Sequence, residues 1–392
     1  MPMLIVVQAQ LWPDANWVVG NGSFVGVDFT NYWLGGRLAV EGQINVLYNL
    51  DAYNAHRFEI FSPSTHLFVF SYPPNILPLL VPFGLLPYGP ALAVWSVAGI
   101  VAFAFAASNW DADRKRNWLS VLVIVSAPVL WNNIFHGQLA LWLTVLFVVG
   151  LRLTPTHPVV GGILIGLLTI KPQLGILLPI ILLSERRWIA ILSATLTAIA
   201  LASASVIWFG WDSWSLYLVN IVPVQENFLY ELRDRYYGLL SVSVYGGLVH
   251  AGVSFASAMV AHFIIAGAVV LTALRYLFDC NVSWPLKVAI TATATVLVPP
   301  YMLAYDLAIP IAAIAWYLTS RTLSPTRLEQ LMMVSVWIIP FGFLMLFNLF
   351  HVSLGALPLM ASFAWLCRQG QMQSGRTLID GLPTFRLVAT KP

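Results

Sequence analysis

Apolar runs long enough to approach or reach the width of a bilayer recur along the whole of this chain, and nothing constrains its fold more. Residues 119–131, 139–151, 189–209, 254–274 and 331–350 are such runs, set against a hydrocarbon core of about 30 Å. Water is absent from that core, so backbone polar groups must be satisfied within the segment and the runs must be helices packed on one another. The composition agrees, with 59% hydrophobic and only 9% charged residues among 392. The expected fold is therefore all-α, a polytopic transmembrane bundle of about 10–12 membrane segments. A net charge of +3, small and scattered, argues against nucleic-acid binding, and the two cysteines, Cys280 and Cys367, have neither metal-ligand spacing nor a disulfide framework. The opening MPMLIVVQAQLW is too short for a full span and lacks a basic leader and cleavage site, so it reads as the end of a first transmembrane helix.

Lys and Arg gather in Asp113 to Arg116, at Arg152, in Glu185 to Arg187, between Arg275 and Lys287, from Arg321 to Arg327, and from Arg368 onward. Placed on the cytoplasmic side, these clusters leave a first outer loop over 13–72 and a second over 210–250. The same face receives His136 to Gln138, Lys171 to Gln173, residues 299–306 and His351. Residues 1–370 then make one membrane-embedded domain and 371–392 a cytoplasmic tail. Residues 73–86, with Pro73, Pro74, Pro78 and Pro82, suit a short tilted or re-entrant helix, leaving 88–108 to cross. Aromatic and charged residues in the two outer loops suit amphipathic helices on the membrane surface, Tyr32 and Trp33 among them.

Charge within such a chain marks function, because it is costly there. Lys171 is the only charged residue between His157 and Glu185, and Pro172 breaks the helix beside it. Two half-helices then meet at a cationic bend, where Lys171 and Gln173 suit an anion such as a phosphate. A lysine snorkelling to the interface is the plainer alternative. Asp306 lies between apolar stretches with Tyr301 and Tyr305 beside it. His136 and Gln138 flank a tight turn at Gly137, and Tyr72 closes the first outer loop; all are candidates to line a substrate pocket. Asp28, in FVGVDFTNYW, follows directly on an apolar start. The Asp111-Ala112-Asp113 stretch runs into three basic residues and reads as a solvated loop, while His250 and His262 read as packing or interfacial residues. A carboxylate on the outer face near a site for a lipid phosphate suits sugar transfer from a polyprenyl-phosphate carrier. The carboxylate acts as general base and cations steady the departing phosphate. A multi-pass transporter or lipid flippase using Lys171 and Asp306 as a charge pair is the alternative.

Several blocks together resemble one family. VDFTNYWLGGRLAVEGQINVLYN, SYPPNILPLLVPFGLLPY, HGQLALWLTVLF, VVGGILIGLLTIKPQLGILLP, ERRW and PPYMLAYDLAIP, across residues 24–320, resemble the glycosyltransferase family 87 proteins of the GT-C superfamily, most of all a largely proteobacterial branch. The resemblance implies a GT-C fold and an acidic catalytic base in the first outer loop, a position that Asp28 matches. It implies a polyprenyl-phosphate-linked sugar as donor, commonly mannose or arabinose, and a lipid or glycan hydroxyl as acceptor. It also implies inversion at the anomeric carbon, no metal or other cofactor, and a place in the bacterial inner membrane with the active site facing the periplasm. On this reading Lys171, with Arg233 and Arg235 of the second loop, receives the donor phosphate. Tyr32, Tyr72, His136, Gln138, Gln173, Tyr301, Tyr305 and Asp306 shape the sugar pocket.

Overall fold

The computed structural model describes residues 25–61, 68–108, 126–231, 240–321, 326, 327, 331, 334 and 355–375. Among them the only strand-like pairing is a single bridge between Ser241 and Leu303. The helices are α1 (Phe29–Val40), α2 (Ile44–Leu47), α3 (Leu50–Phe61), α4 (Leu77–Gly84), α5 (Tyr88–Ala107), α6 (Pro128–His136), α7 (Ala140–Leu153), α8 (Pro158–Leu167) and α9 (Leu178–Ser184). They continue as α10 (Trp188–Phe209), α11 (Asp212–Leu216), α12 (Val222–Glu231), α13 (Val244–His250), α14 (Phe255–Leu277), α15 (Trp284–Leu297), α16 (Ala308–Thr319) and α17 (Ala356–Ser374). Three of these, α5, α10 and α14, are long and apolar enough to cross a membrane. This is an all-α bundle of membrane type, and the apolar runs at 139–151, 189–209 and 254–274 correspond to α7, α10 and α14. Most of 331–350, the N-terminal segment, residues 111–116 and the loop arginines 233 and 235 lie outside the described residues. Helix α17 continues through position 371 to Ser374, past the expected start of the tail.

Glycines let the site-bearing helices approach. A Cβ on Gly162 would stand 2.5 Å from the Ala190 carbonyl and one on Gly166 2.5 Å from the Ala194 carbonyl. The contact is thus backbone to backbone, as small residues permit in membrane helices. The order of these contacts makes α8 run parallel to α10, so His157 and Arg187 lie at the same end of the bundle. The chain between them must go out and come back. Residues 158–184 are therefore a helical hairpin with Lys171 at its tip. The residue before a proline is kept out of the helical region, and Lys171 adopts φ −136° and ψ 74° ahead of Pro172. Each arm rises only about 20 Å, whereas α10 has 22 residues, so the tip is recessed below the far end of α10.

Helix α4 is equally short, with a 3-10 turn at Pro74–Ile76 before it. It packs across α1 where Gly36 and Gly84 meet, a Cβ on Gly36 falling 2.3 Å from the Leu80 carbonyl oxygen. The Trp33 indole donates to the Leu86 carbonyl at 2.9 Å. Tyr32 and Trp33, expected on a surface-lying helix, are buried in α1 instead. Their rings pack on Trp95 and on Phe61 and Tyr88, because α3, α4 and α5 close over them.

Basic residues mark the end opposite the Lys171 tip. Arg152 donates to the Ser108 carbonyl at 2.6 Å, Lys287 is buried in an ion pair with Glu185, and Arg187 lies over the Trp284 ring. Helix α5 runs between the ends, from Tyr88, whose hydroxyl donates to the Val25 carbonyl at 2.6 Å, to Ser108.

Gly166→Ala should lower the melting temperature of the detergent-solubilised protein by about 5 °C, because the added methyl meets backbone. Gly267→Ala, where nothing lies within 4 Å, should melt at or above the wild-type temperature.

Candidate active site

The site begins with a backbone clasp. The Gly26 N–H donates to the Phe135 carbonyl at 3.1 Å and the Asp28 N–H to the His136 carbonyl at 2.8 Å. Gly137 closes α6 in the left-handed conformation, φ 65° and ψ 33°, which glycine adopts without penalty. A Cβ there would also stand 2.5 Å from the Phe29 Cβ. The Trp95 indole donates to the Gly137 carbonyl at 3.0 Å. The turn expected at Gly137 and Gln138 is thus pressed against the start of α1.

Asp28 holds the N-cap position of α1, where an aspartate commonly accepts helix N–H groups, yet its side chain makes no such bond. Its Oδ2 accepts from Gln138 Nε2 at 2.6 Å instead, and the residue keeps partial exposure. Burial pushes the Asp28 carboxyl above the ordinary carboxylate range, and His136, the Gln138 hydrogen bond and the Lys171 charge pull it partway back. Gln138 Oε1 accepts from the Tyr32 hydroxyl at 3.1 Å, and the Tyr32 and Tyr72 hydroxyls meet at 2.8 Å. His136 Nδ1 donates to the Asn132 carbonyl at 2.8 Å.

The second part centres on Lys171. Its Nζ lies 2.6 Å from Asp306 Oδ1, with side chains 11% and 3% exposed. The other oxygen, Asp306 Oδ2, accepts from the Leu303 N–H at 3.3 Å. The Tyr305 ring lies 5.6 Å from Nζ, and Tyr301 is within electrostatic reach. The lysine is therefore a paired cation with donors to spare, since an ammonium has three. Gln173 follows in the partly exposed turn Pro172–Gly175.

Residues that are inconspicuous in the sequence join the two parts. Asn133 accepts the Gln138 N–H at its carbonyl, at 2.8 Å, and its amide donates to the Tyr305 carbonyl at 3.1 Å. Asn75 donates to Thr169 Oγ1 at 3.3 Å, binding the Tyr72-Pro73-Pro74 segment to the hairpin tip. Tyr53 donates to Asn31 Oδ1 at 2.5 Å beside Asp28. An amide side chain in an apolar helix suits a cross-helix hydrogen bond, and that is the signal that Asn75 and Asn133 carry. The structure thus brings together Asp28, Tyr32, Tyr72, His136, Gln138, Lys171, Tyr301, Tyr305 and Asp306. Of these, Asp28, Tyr72, His136, Lys171, Tyr301 and Tyr305 are partly exposed, and the others are buried.

The model of glycosyltransferase family 87 matches residues 70–300, more than half of the chain. The chain belongs to glycosyltransferase family 87. Comparison with curated proteins and with solved structures gives no match. The matched stretch of this family 87 protein holds Tyr72, His136, Gln138, Lys171 and Gln173, while Asp28 and Tyr32 precede it and Tyr301, Tyr305 and Asp306 follow. The chain is thus a membrane glycosyltransferase of GT-C type. The charge pair that a transporter reading requires does form, but family membership assigns the chain to sugar transfer.

Removing one partner of a buried ion pair strands the other, at about 3–5 kcal/mol. Lys171→Met and Asp306→Leu should each lower the melting temperature markedly, and the double variant should recover most of the loss. Additive losses in the double variant would show that the two charges are energetically independent.

Proposed function

We propose that this protein is an inverting glycosyltransferase that moves a hexose or pentose, mannose-like, from a polyprenyl-phosphate carrier to a lipid or glycan hydroxyl on the outer face of the membrane. The observation that carries the reading is the placement of Asp28, partly exposed, held by Gln138 and within reach of the Lys171 charge. Asp28 takes the proton of the acceptor hydroxyl as general base, and the acceptor oxygen attacks the anomeric carbon from the face opposite the phosphate. The bond between that carbon and the phosphate oxygen breaks, and polyprenyl phosphate leaves with the electron pair. Lys171 stabilises the anionic leaving group through donors that Asp306 does not use, and Asp306 keeps the ammonium charged in its buried setting. Arg233 and Arg235 supply further cations for the phosphate. His136, Gln173, Tyr301 and Tyr305 border the sugar. One displacement at carbon inverts its configuration.

The test uses full-length protein in nanodiscs with decaprenyl-phosphate-linked mannose, glucose and arabinose, radiolabelled, and an envelope lipid and glycan extract as acceptor. Wild type should transfer one of the sugars, with inverted configuration in the product. Asp28→Asn should reduce transfer by about 10²–10⁴, the usual worth of a general base. Full activity of Asp28→Asn would remove the base assignment, and a retained configuration would exclude the single displacement. The working form of Asp28 is the carboxylate, so activity falls as the pH drops through its pKa. Because burial raises that pKa, the acid limb of kcat/KM should lie above the ordinary aspartate range, and an acid limb at or below that range would contradict the buried carboxylate.

A further inference from the structure

The hydrogen bonds behind Asp28 have a direction that their protons determine. Gln138 Oε1 receives the Tyr32 hydroxyl at 3.1 Å and the Leu139 N–H at 3.3 Å. Two donors at that atom assign the carbonyl end of the amide, so the NH₂ end faces Asp28 Oδ2 at 2.6 Å. A phenol has one proton, and Tyr32 gives its own to Gln138. The 2.8 Å contact between the tyrosine hydroxyls is then satisfied only when Tyr72 donates to Tyr32. The order is Tyr72 to Tyr32 to Gln138 to Asp28, every donor pointing toward the carboxylate.

The surroundings keep this chain in place. The Tyr32 ring stacks on Trp95 with centroids 5.2 Å apart, and Tyr32 and Gln138 are 1% and 6% exposed. The Tyr72 backbone carbonyl accepts from the Tyr48 hydroxyl at 3.2 Å, and the neighbouring Ser71 carbonyl accepts from Gln225 of α12 at 2.8 Å. Both ends of the chain are partly exposed while its middle is buried.

We infer that Gln138 and Tyr32 are positioning residues that hold one oxygen of Asp28 and leave Oδ1 for the acceptor, and that Tyr72 reads a sugar hydroxyl. This rests on Asp28 being the base. With its proton committed to Tyr32, the Tyr72 oxygen offers only lone pairs to a substrate. It accepts from a hydroxyl and offers nothing to a phosphate oxygen. Asp28 and Tyr72 together therefore require two hydroxyl donors on the reacting sugars, one at the nucleophile and one beside it. The other groups that act on Asp28 are His136 on the α6 turn and Lys171 on the hairpin tip, while the phenols of Tyr32, Tyr72 and Tyr88 lie within reach of its charge. None of them is replaced in Gln138→Leu, which removes the amide donor to Asp28 together with the acceptor of the Tyr32 hydroxyl.

The experiment compares Gln138→Leu, Tyr32→Phe, Tyr72→Phe and Asp28→Asn, full length in nanodiscs, using the decaprenyl-phosphate sugar that wild type transfers. Gln138→Leu should lower kcat/KM by about 10- to 100-fold and move its acid limb up by about one pH unit. Tyr32→Phe should move both in the same direction and by less. Tyr72→Phe should raise KM with kcat kept within about twofold and the acid limb unmoved, as loss of a uniform binding contact does. A difference infrared titration needs no substrate: the carboxyl band absent from Asp28→Asn should titrate at higher pH in Gln138→Leu. Loss of activity in Asp28→Asn with wild-type profiles and titration in Gln138→Leu and Tyr32→Phe would overturn this inference alone. Full activity in Asp28→Asn would overturn the base assignment beneath it.

Discussion

The ion pair between Lys171 and Asp306 holds one end of this bundle together. Two short arms, α8 and α9, carry a lysine to a recessed tip, and such a tip would be unstable around a lone buried charge. Asp306 neutralises it from the turn that follows α15, and the Leu303 N–H steadies the carboxylate. The turn is then fastened outward, to α6 through Asn133 and to the second long loop through the Val242 N–H on the Met302 carbonyl at 3.0 Å. The tip is fastened through Thr169 to Asn75, ahead of α4. The pair and the hydrogen bonds of its neighbours thus join segments from five separate parts of the chain.

Around that pair, polar chemistry is distributed unevenly. At the opposite end, Arg152, Glu185 and Lys287 are engaged with carbonyls or with one another. At the Lys171 end, Asp28 and Lys171 remain partly exposed while Gln138 and Asp306, which hold them, are buried. A separated carboxylate and ammonium suit a reaction in which a proton leaves one oxygen and negative charge collects on another. Family 87 membership gives sugar transfer as the reaction class, and the proposed roles of Asp28 and Lys171 match its two halves.

Much of this was legible in the chain, and the limits have physical causes. Asp28 and Lys171 stood out because charge in apolar surroundings is costly, and Asp306 stood out beside its tyrosines for the same reason. What pairs with what was not legible: Lys171 and Asp306 are 135 residues apart, and Asp28 and Gln138 are 110 apart. Contacts of that kind depend on tertiary packing, which periodicity does not encode. Tyr32 and Trp33 suited a membrane surface because aromatic rings favour interfaces and cores alike. The Gly36–Gly84 crossing that brings α4 over them is visible only in three dimensions. Asn75 and Asn133 carry no charge to single them out, although an amide in an apolar run is itself a sign of a cross-helix bond.

The proposed mechanism requires Asp28 and Lys171 to face one reacting sugar phosphate. A structure of the protein with a non-hydrolysable decaprenyl phosphonate sugar tests it most directly. The phosphonate should lie on the Lys171 ammonium and the anomeric carbon between it and Asp28 Oδ1, with room for one hydroxyl. A phosphonate bound at the Glu185 and Lys287 end, or a sugar turned away from Asp28, would contradict it.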